Sequence, residues 1–413
     1  MKRIAFHTLG CKLNFSETSS IKRDFSPEEF ENVEFSKVAD YYVINSCSVT
    51  GKAEKTCRAL VRKALKTNPD ANVAIIGCFS QLKPAELVAM PGVSLVLGND
   101  EKFNLLEHLK NLSQPTGTTI DRKDPERFVP TFSSDDRTRS FFKIQDGCDY
   151  FCTYCTIPLA RGHSRSNTIA KTIESARQLA ATGVKEVVLS GVNIGDFGKI
   201  NNETFYDFLK ELVKVNGFER IRISSVEPDL LHDEIIELVC REPKLMPHFH
   251  IPLQSGSNQV LKDMGRHYTR EVFESRVFKI KKLMPHACIA ADVIVGFPTE
   301  TNELFTETFE FIENLPISYL HVFSYSEREN TRALKLTRMN KTQNIAHRSK
   351  VLHHLSENKK EQFRAENKGY KAQVLWENDI SGDYMHGFTD NYIRLKTKYD
   401  ERLVNTIQQV IVW

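Results

Sequence analysis

Short apolar segments alternate with helix-like patterns along most of this chain, and this alternation restricts its fold more than any other feature. The N-terminal third contains four such apolar segments, which are IAFHTL, YYVINS, VAIIG and VSLVLG. Strands separated by helices pair in parallel, because each helix returns the chain across the sheet. Residues 1–112 are therefore predicted to form a doubly wound parallel α/β sheet. No Gly-x-Gly-x-x-Gly follows the first segment, so we do not expect a dinucleotide site.

The alternation resumes in the central part of the chain with six further apolar segments. They are FFKIQ, VKEVVLSG, FERIRISSV, HFHIPL, CIAADVIVGF and SYLHVFSY. Six strand and helix units predict a partial (β/α)6 barrel over residues 139–368, with its active face at the loops that follow the strands. Residues 113–138 are polar and contain three prolines, so they are predicted to be a linker.

Length and composition limit the class of protein. The 413 residues suffice for two or three domains, and 56 Lys and Arg against 53 Asp and Glu leave a net charge of only +3. A nucleic-acid partner would therefore have to contact a local basic surface. No apolar run reaches the roughly 18 residues of a membrane span, and no secretory signal pattern is present. Nine cysteines in such a chain indicate a reducing compartment, so we expect a cytoplasmic protein without a membrane partner.

Three of these cysteines, Cys148, Cys152 and Cys155, form a C-x3-C-x2-C group just after the first central apolar segment. Four-iron clusters normally take four thiolates, so three would leave one iron open to another ligand. A structural zinc site is the alternative, but such sites need four closed ligands and usually show paired C-x2-C motifs. We therefore expect a [4Fe-4S] cluster with one open iron.

Three more cysteines, Cys11, Cys47 and Cys78, each follow the end of a predicted N-terminal strand. The carboxyl ends of parallel strands share one edge of a sheet, so these thiols are expected to converge. A buried core thiol is the commonest fate of a single cysteine. Cys57 is interpreted in that way, and Cys240 and Cys288, which lack partner cysteines, are interpreted as structural. The convergent set predicts a second three-thiolate cluster.

The C-terminal part combines a basic run with a β-rich tail. Between Arg338 and Lys371 there are nine Lys or Arg against three Glu, which usually means a solvated helix face. Residues 369–413 follow with the strand-like segments AQVLWE, NYIRLKT and TIQQVIVW, among which aromatic and basic residues are interleaved. RNA-binding proteins stack unpaired bases on aromatic rings and hold phosphates with basic side chains. The tail is therefore predicted to bind RNA.

Several motifs resemble those of the radical S-adenosylmethionine (SAM) methylthiotransferases, which modify tRNA or a ribosomal protein. They are LGCKLNFSET, NSCSVT, IGC, GCDYFCTYCTIPLARG, LSGVNIGDFG, IPLQSGS and DVIVGFPTET. The resemblance covers nearly the whole chain and implies three parts: a methylthiotransferase N-terminal domain, a radical SAM barrel and a small C-terminal TRAM-like β-barrel.

The resemblance also implies the reaction. The cluster held by Cys148, Cys152 and Cys155 would be catalytic, cleaving SAM to a 5′-deoxyadenosyl radical that takes hydrogen from the substrate. The N-terminal cluster would present a sulfur, which a second SAM methylates before the methylthio group passes to the substrate radical. In this scheme the protein supplies placement, electrostatics and exclusion of water.

The family further implies which residues contact SAM. Gly191 resembles the turn against the methionine amino group, with an ordinary β/α turn as the alternative. Tyr154 resembles the residue whose backbone meets adenine, and the alternative is an aromatic ring that shields the cluster from water. Gly296 would meet adenine or ribose, and Arg266 would pair with the methionine carboxylate. The chain departs from the family at residues 328–331, which read Arg-Glu-Asn-Thr where Arg-Pro-Gly-Thr is usual.

The loop around Cys11 resembles the branch of the family that acts on N6-threonylcarbamoyladenosine at tRNA position 37. Isopentenyladenosine in tRNA and an aspartate of a ribosomal protein are the alternative substrates. The threonylcarbamoyl group carries a carboxylate, so its pocket should offer a cation, and Lys12, Arg161 and Arg165 are the candidates. The implied partners are the tRNA anticodon stem-loop, SAM and an electron donor such as flavodoxin or ferredoxin.

Two other classes of protein would share these cysteines. A non-catalytic iron-sulfur protein that binds RNA or transfers electrons would need no SAM loops. A zinc-dependent RNA-binding protein would hold zinc in place of iron. Cleavage of SAM under reducing conditions distinguishes the enzyme from both.

Overall fold

The N-terminal part folds as a parallel sheet with helices on both faces. The computed structural model of the protein describes residues 1–48, 51–112, 117–120, 127–134, 138–340 and 342–412. The N-terminal elements are β1 (Lys2–Thr8), α1 (Lys12–Lys22), β2 (Phe30–Val33), β3 (Tyr41–Ser46), α2 (Gly51–Thr67), β4 (Asn72–Gly77), α3 (Cys78–Leu82), α4 (Pro84–Val88), β5 (Val93–Leu97), α5 (Leu105–Lys110) and β6 (Gly117–Thr119). The strands lie in the order β2-β1-β3-β4-β5-β6, and all pair in parallel, as the alternation predicted.

The central strand of this sheet is apolar on both faces, and helices cover both. Every residue of β3 is buried. Helices α2 and α4 contribute Val61 and Leu87 to the core on one face, whereas α1 and α5 contribute Ile21 and Leu105 to the other. Such double coverage explains the continuous apolar runs of the inner strands.

The two edge strands of this sheet, β2 and β6, were not predicted, because both are short and neither has a clear apolar pattern. Strand β6 lies inside the predicted linker, and its partner is β5. Another short strand of the predicted linker, β7 (Thr131–Phe132), pairs antiparallel with the first barrel strand. The described portions of residues 113–138 thus extend two sheets, while residues 113–116, 121–126 and 135–137 lie outside the described residues.

The central part forms the predicted partial barrel of six parallel strands. After β7 its elements are β8 (Arg139–Lys143), α6 (Ile157–Arg161), α7 (Ile169–Ala180), β9 (Glu186–Ser190), α8 (Phe205–Leu212), β10 (Arg220–Ile223), α9 (Asp233–Arg241), β11 (His248–Gln254), α10 (Asn258–Met264), α11 (Arg270–Leu283), β12 (Cys288–Val295), α12 (Asn302–Asn314), β13 (Tyr319–Ser324) and α13 (Thr342–Glu366). Strands β8 to β10 and β11 to β13 form two parallel groups, which meet at a bridge between Ser225 and His250.

Threonine side chains fix the starts of three outer helices. The Thr168, Thr204 and Thr301 hydroxyls accept hydrogen bonds from backbone N–H groups in the first turns of α7, α8 and α12. These caps satisfy donors that a helix start leaves unpaired. The loops that follow β8, β9 and β12 therefore end at a defined residue. No helix in the described part of the chain is long and apolar enough to cross a membrane.

The tail forms a curled antiparallel half-barrel, as expected for a TRAM-like domain. Its strands are β14 (Lys371–Ser381), β15 (Tyr384–Thr389), β16 (Arg394–Lys398) and β17 (Ile407–Ile411), in the order β16-β15-β14-β17. Strand β15 was not predicted as a strand, and Trp413, placed by sequence in the last strand, lies outside the described residues.

The tail packs against the ends of the barrel strands that lie away from the loops. Arg222, at most 2% exposed, donates to the carbonyl of Asp390 at 3.1 Å and to Glu186 at 2.8 Å. Arg139 pairs with Glu377 of β14 at 2.6 Å. The tail and the barrel are therefore joined by buried polar contacts.

The three cysteines outside the two predicted groups have different surroundings. Cys57 and Cys288 are buried, as predicted for core thiols, and burial raises the pKa of each to about 12. Cys240 is exposed near the end of α9, where its Sγ lies 3.8 Å from the carbonyl oxygen of Leu283, and its structural role stays a prediction.

Candidate active site

The central cysteines lie in a tight loop directly after β8. Gly147 opens the loop at a φ of 72°, and a Cβ at this position would lie 1.9 Å from the carbonyl oxygen of His163. The N–H of Cys148 donates to the carbonyl of Gly162 at 3.0 Å. Only glycine permits this close approach at position 147, so this residue determines the shape of the loop.

The thiols of this loop lie close together, with Cys152 buried and Cys148 and Cys155 half-buried. Burial raises the pKa of Cys148 to about 12, and the neighbouring Cys155 and Cys152 thiols raise that pKa further. Burial likewise raises the pKa of Cys155 to about 12. The backbone nitrogens of Tyr150 and Ile157 lie 3.5 and 3.4 Å from the Cys148 and Cys155 sulfurs. Thiols that resist ionisation but receive N–H donors fit a metal centre, whose positive charge would stabilise them as thiolates.

The three cysteines open into one cavity of about 310 Å³ at the mouth of the barrel. Its other lining residues are Tyr150, Tyr154, Thr156, Ile157, Val192, Glu227, Gln254, Arg266, Asp292, Ile294, Phe323, Ser324, Tyr325 and Ser326. Thiols occupy one part of the lining, and much of the remaining wall is aromatic or aliphatic with a few charged groups. Such a lining fits a nucleoside that carries an amino-acid end, as SAM does.

Arg266 is the one arginine in the described lining of this cavity, and it faces a carboxylate. Its guanidinium contacts Glu227 and also donates to Cys152 Sγ at 3.1 Å and to Tyr268 Oη at 3.2 Å. Burial raises the pKa of Glu227 to about 7, although Arg266 opposes this shift. The pair offers one partner for a carboxylate and one for an amino group.

The four predicted SAM contacts occupy different positions. Tyr154 and Arg266 line the cavity. Gly296, at a φ of 79°, instead faces α13, where a Cβ would lie 2.4 Å from Cγ1 of Ile345. Gly296 therefore lies in the packing between the β12 loop and α13, outside the described lining of the cavity, and its contact with adenine or ribose stays a prediction.

Gly191 lies just behind the lining. A Cβ there would come within 2.9 Å of the Gln145 side-chain oxygen, and that oxygen accepts hydrogen bonds from the N–H groups of Val192 and Asn193 at 2.9 and 2.8 Å. Val192 rather than Gly191 lines the cavity. The glycine allows the turn to approach Gln145 and so shapes the cavity wall.

Sequence reasoning missed three residues of this region: Gln145, Glu227 and Asp292. Gln145 and Glu227 end apolar segments, and Asp292 interrupts an apolar segment within β12. A polar residue in or at the carboxyl end of a barrel strand is a signal that could have identified all of them.

The structure brings the N-terminal cysteines to one edge of the sheet. Cys11, Cys47 and Cys78 follow β1, β3 and β4, which are neighbours in the sheet. A Cβ on Gly10 would lie 2.8 Å from Cys47 Sγ, so the loops of Cys11 and Cys47 touch. The predicted convergence at this edge is what the structure shows.

Two asparagines hold these loops. The Asn14 amide donates to the carbonyls of Leu9 and Ser46 at 2.8 and 3.1 Å, and so ties the Cys11 loop to the Cys47 loop. The Asn99 amide lies 3.8 Å from Cys78 Sγ and donates to the carbonyl of Ala160 at 2.8 Å. Because Ala160 belongs to α6, the helix after the central cysteines, α6 lies between the two cysteine groups.

Two of the three candidate cations for the substrate carboxylate are buried and form ion pairs inside the protein. The Arg161 side chain is 2% exposed and pairs with Glu17 at 3.0 Å and Asp146 at 2.9 Å. The Arg165 side chain is 8% exposed and pairs with Asp146 at 3.4 Å. Both predictions are therefore wrong, because these charges are used inside the protein.

Lys12 is different. It is the first residue of α1, and no described residue forms a hydrogen bond or ion pair with its side chain. The residue is exposed to solvent, yet the surrounding protein desolvates the ammonium, and with Arg139 and Arg222 lowers the pKa of Lys12 to about 8. Asp292 acts on the same ammonium, which places Lys12 opposite the barrel interior.

Comparisons with known proteins agree with both halves of this site. Residues 3–98 match the Uncharacterized protein family UPF0004, and residues 142–312 match the Radical SAM superfamily. The threonylcarbamoyladenosine tRNA methylthiotransferase MtaB of Bacillus subtilis (strain 168) is 39% identical over 423 residues, spanning 99% of this chain and 93% of its own. The chain belongs to the radical SAM methylthiotransferase family.

Other members of the family show similar agreement. MtaB of Aquifex aeolicus (strain VF5) is 39% identical over 402 residues, covering 95% of this chain and 96% of its own. The tRNA-2-methylthio-N(6)-dimethylallyladenosine synthase of Fusobacterium nucleatum subsp. nucleatum is 35% identical over 343 residues, covering 81% and 78%. Radical SAM methylthiotransferases bind SAM and [4Fe-4S] clusters, which confirms the predicted cofactors.

The fold of this family member also resembles solved radical SAM structures. The radical S-adenosylmethionine methyltransferase TsrM from Kitasatospora setae aligns with a TM-score of 0.58 at 16% identity, covering 78% of this chain and 73% of that chain. At this identity the likeness supports the architecture alone.

The barrel interior of this methylthiotransferase contains one further polar group, His250, Asp292 and His321. Their possible metal-binding atoms all lie within 4.8 Å of one another, and His250 Nε2 is 2.8 Å from Asp292 Oδ1. The donor set would suit a divalent metal. However, the positive charge of Lys12 acts on both Asp292 and His321, which disfavours a cation. We therefore treat these side chains as polar groups of the substrate cleft.

Proposed function

We propose that this protein is a tRNA methylthiotransferase that converts N6-threonylcarbamoyladenosine at position 37 to its 2-methylthio derivative. The observation that carries the proposal is the pair of three-cysteine groups on either side of α6, in a chain that is 39% identical to a threonylcarbamoyladenosine methylthiotransferase over nearly its full length. A fold-level likeness alone would not identify the substrate.

The two cysteine groups would have different roles in the reaction. Cys148, Cys152 and Cys155 would hold the cluster whose electron cleaves SAM, and the N-terminal cysteines would hold the cluster that supplies sulfur. The walls of the 310 Å³ cavity would orient SAM and exclude water, with Arg266 and Glu227 at its amino-acid end. The electron donor would be a flavodoxin or ferredoxin, and the reaction would take place in the cytoplasm.

Lys12 is our candidate for recognising the threonylcarbamoyl carboxylate. It lies next to Cys11, the charge of Asp292 in the cavity lining acts on its ammonium, and it has no hydrogen-bond or ion-pair partner among the described residues. An ammonium without a partner that the surrounding protein partly desolvates would bind a carboxylate more strongly than a fully solvated lysine would. The isopentenyl group has no carboxylate to place there.

The anticodon stem-loop would bind along α13 and the tail. Arg348 and Lys359 of the basic run are buried and serve the fold, through Glu300 and the carbonyl of Leu315. The remaining described bases of the run are exposed, namely Arg338, Lys350, Lys360, Arg364, Lys368 and Lys371, while Lys341 lies outside the described residues. The exposed bases would contact phosphates.

We also propose the division of the chain into functional parts. Residues 1–112 would carry the auxiliary cluster, 139–368 would form the radical SAM domain, and 369–413 would form the RNA-binding domain. Residues 113–138 would connect the first two parts, with β6 and β7 attached to their sheets.

The proposal is tested with purified, anaerobically reconstituted protein, SAM, sulfide and a chemical reductant. Two tRNA substrates are supplied, one with threonylcarbamoyladenosine and one with isopentenyladenosine at position 37, and nucleosides are analysed by mass spectrometry. We expect the methylthio product only from the first tRNA. Methylthiolation of only the isopentenylated tRNA would disprove the substrate assignment, and SAM that remains intact would disprove the reaction class.

The role of Lys12 is tested in the same assay. Lys12→Met should lower kcat/KM for threonylcarbamoylated tRNA about 10- to 100-fold, because the substrate carboxylate would then have no ammonium to pair with. The control is Lys37→Met, an exposed lysine of the same domain, which should have no effect. Equal activity of the two variants would contradict this role without affecting the proposed reaction.

A further inference from the structure

A buried network of charged side chains lies directly behind the N-terminal cysteines. Its members are Glu17, Lys102, Lys143, Asp146, Arg161 and Arg165, and their side chains are at most 8% exposed. Glu17 is the centre of the network, with Lys102 at 2.7 Å and both Lys143 and Arg161 at 3.0 Å. The network joins α1 of the N-terminal domain to β8 and α6 of the barrel.

The charges within this network do not cancel. Four cations face two carboxylates, and the nearest further carboxylate, Asp100, is 4.0 Å from Arg165. The described residues therefore leave at least one positive charge uncompensated in a buried region. Burying a charge without a partner is unfavourable, so a further negative group next to the network would stabilise it.

Two hydrogen-bonded paths connect the network to the cysteines. Arg161 donates to the Asn14 side-chain oxygen at 2.7 Å, and the same oxygen lies 3.8 Å from Cys11 Sγ. Lys102 donates to the Asn99 side-chain oxygen at 2.9 Å, and the amide of Asn99 lies 3.8 Å from Cys78 Sγ. The uncompensated positive charge is therefore directed at two of the three N-terminal thiols.

The cavity of the central cysteines has the opposite charge balance. Its described lining contains one cation, Arg266, and two acidic residues, Glu227 and Asp292. A further acid, Asp229, adds to the negative field on Glu227. The two cysteine groups thus lie in surroundings of opposite sign, although both offer three thiols to the same type of cluster.

We propose that Lys102 and Arg161 are positioning residues whose charge compensates the anionic iron-sulfur centre held by Cys11, Cys47 and Cys78, and so makes this centre easier to reduce than the centre in the barrel. Reduction adds one negative charge to a centre, and nearby cations stabilise that added charge. The inference rests on the proposed function only in taking the N-terminal centre to be an iron-sulfur cluster.

The test is a redox titration followed by electron paramagnetic resonance. The full chain with Cys148, Cys152 and Cys155 replaced by alanine is used, so that only the N-terminal centre gives a signal. In this background Lys102→Met should lower the reduced-to-oxidised ratio at a fixed potential about tenfold, which equals a shift of about 59 mV towards negative potential. Lys102→Arg keeps the charge and should restore the original midpoint.

Two further variants make the sign decisive. Asp100→Asn removes a weakly paired carboxylate and should move the midpoint in the positive direction. Lys110→Met, which removes an exposed lysine of the same domain with a side chain 51% exposed, should not move it. A midpoint unchanged in both Lys102→Met and Asp100→Asn, or shifted in the same direction by both, overturns the proposal.

Iron content separates this proposal from the proposed function. About four irons per chain in the background protein, together with unchanged midpoints in the variants, would reject only the charge compensation. Absence of iron from the background protein would reject the N-terminal cluster itself. If Lys102→Met does not fold, Asp100→Asn still decides, because a midpoint that fails to rise would overturn the proposal.

Discussion

The two cysteine groups are built in different ways. The central group comes from one loop after β8, whose shape depends on Gly147 and on local backbone hydrogen bonds. The N-terminal group is assembled from loops that follow three strands, and Asn14 and Asn99 hold those loops in place. One group can form when a single loop closes, whereas the other needs a complete sheet and the neighbouring helix α6.

Their surroundings differ as well. The central thiols line an open cavity, whereas the N-terminal thiols are backed by the buried charge network around Glu17. The comparison teaches that the local group is recognisable by its spacing, while the assembled group depends on residues more than 100 positions apart. The two groups should therefore respond differently to mutation.

Removing each cysteine group should have the largest effects. Replacing Cys148, Cys152 and Cys155 with alanine should leave about four of about eight irons and abolish SAM cleavage. The matching replacement of Cys11, Cys47 and Cys78 should also leave about four irons and retain SAM cleavage, but no sulfur should be transferred. Iron analysis and quantification of 5′-deoxyadenosine measure both outcomes. If neither replacement changes the iron content, the cluster assignment fails.

Removing the centre of the charge network should have the next largest effect. Glu17→Gln leaves three buried cations without their shared carboxylate, so the free energy of unfolding should fall by about 3–5 kcal/mol. Chemical denaturation measures this change. The control is Glu31→Gln, which breaks the pair of Arg3 and Glu31 at 3.1 Å, exposed by 54% and 44%, and should cost at most about 0.5 kcal/mol. Similar decreases in both variants would show that the network does not hold the domains together.

Glu186, a buried acid outside the network, tests whether buried ion pairs elsewhere in the protein also contribute to the free energy of unfolding. Burial opposes ionisation of Glu186, but Arg222, Arg139 and Arg220 outweigh it and lower the pKa of Glu186 to about 2 from an ordinary 4.5. A lowered carboxyl pKa adds stability above the unfolded pKa, and that stability disappears as the pH falls from about 4.5 towards 2. The shift corresponds to about 3 kcal/mol.

The measurement compares the wild type with Glu186→Gln at pH 7, 4.5 and 3. We expect the difference in unfolding free energy between the two proteins to shrink as the pH falls. A difference that stays constant over this range would mean that the ion pairs of Glu186 contribute little.

Replacing exposed basic residues of the tail should have the smallest effect. The change should affect tRNA binding and should not depend on either cysteine group. Lys396 and Lys398 of β16 are exposed. Replacing both with glutamine should weaken tRNA binding a few-fold and flatten its salt dependence, by a slope of about 1 for each phosphate that is no longer neutralised. The two cysteine variants should bind tRNA normally. Unaltered salt dependence of the lysine variant would mean that this strand does not bind RNA.

Much of the fold could be predicted because its signals are local. The inner strands of both sheets are continuous apolar runs, and helix starts such as Thr204 carry their own caps. Strands β2 and β6 were not predicted, because a short edge strand is defined by its pairing with the neighbouring strand and its own residues show no clear pattern. The helical stretch after β4 is divided into α3 and α4 at Pro84, since proline cannot continue the hydrogen bonding of a helix.

The candidate site was predictable to a similar extent. The cysteines were found from spacing and from strand ends, and Arg266 and Tyr154 from resemblance to the family. The network of Glu17, Lys102 and Arg161 was not found, because ion pairs between residues 85 and 144 positions apart leave no periodic pattern. Because these ion pairs cannot be seen in the sequence, Arg161 was predicted to be a substrate-binding cation.

The attachment of the tail has a consequence for how this protein could diversify. Arg220 and Arg222 are buried and donate to tail carbonyls that include those of Gln373, Phe388 and Asp390. Exchanging the tail for that of a relative would leave these guanidinium groups without acceptors unless the new backbone followed the same path. We therefore expect recognition of a new RNA to evolve by substitution of side chains on the outer face of the tail. Replacement of the whole tail by that of a relative is not expected. A chimera would need the matching barrel strands from the same donor.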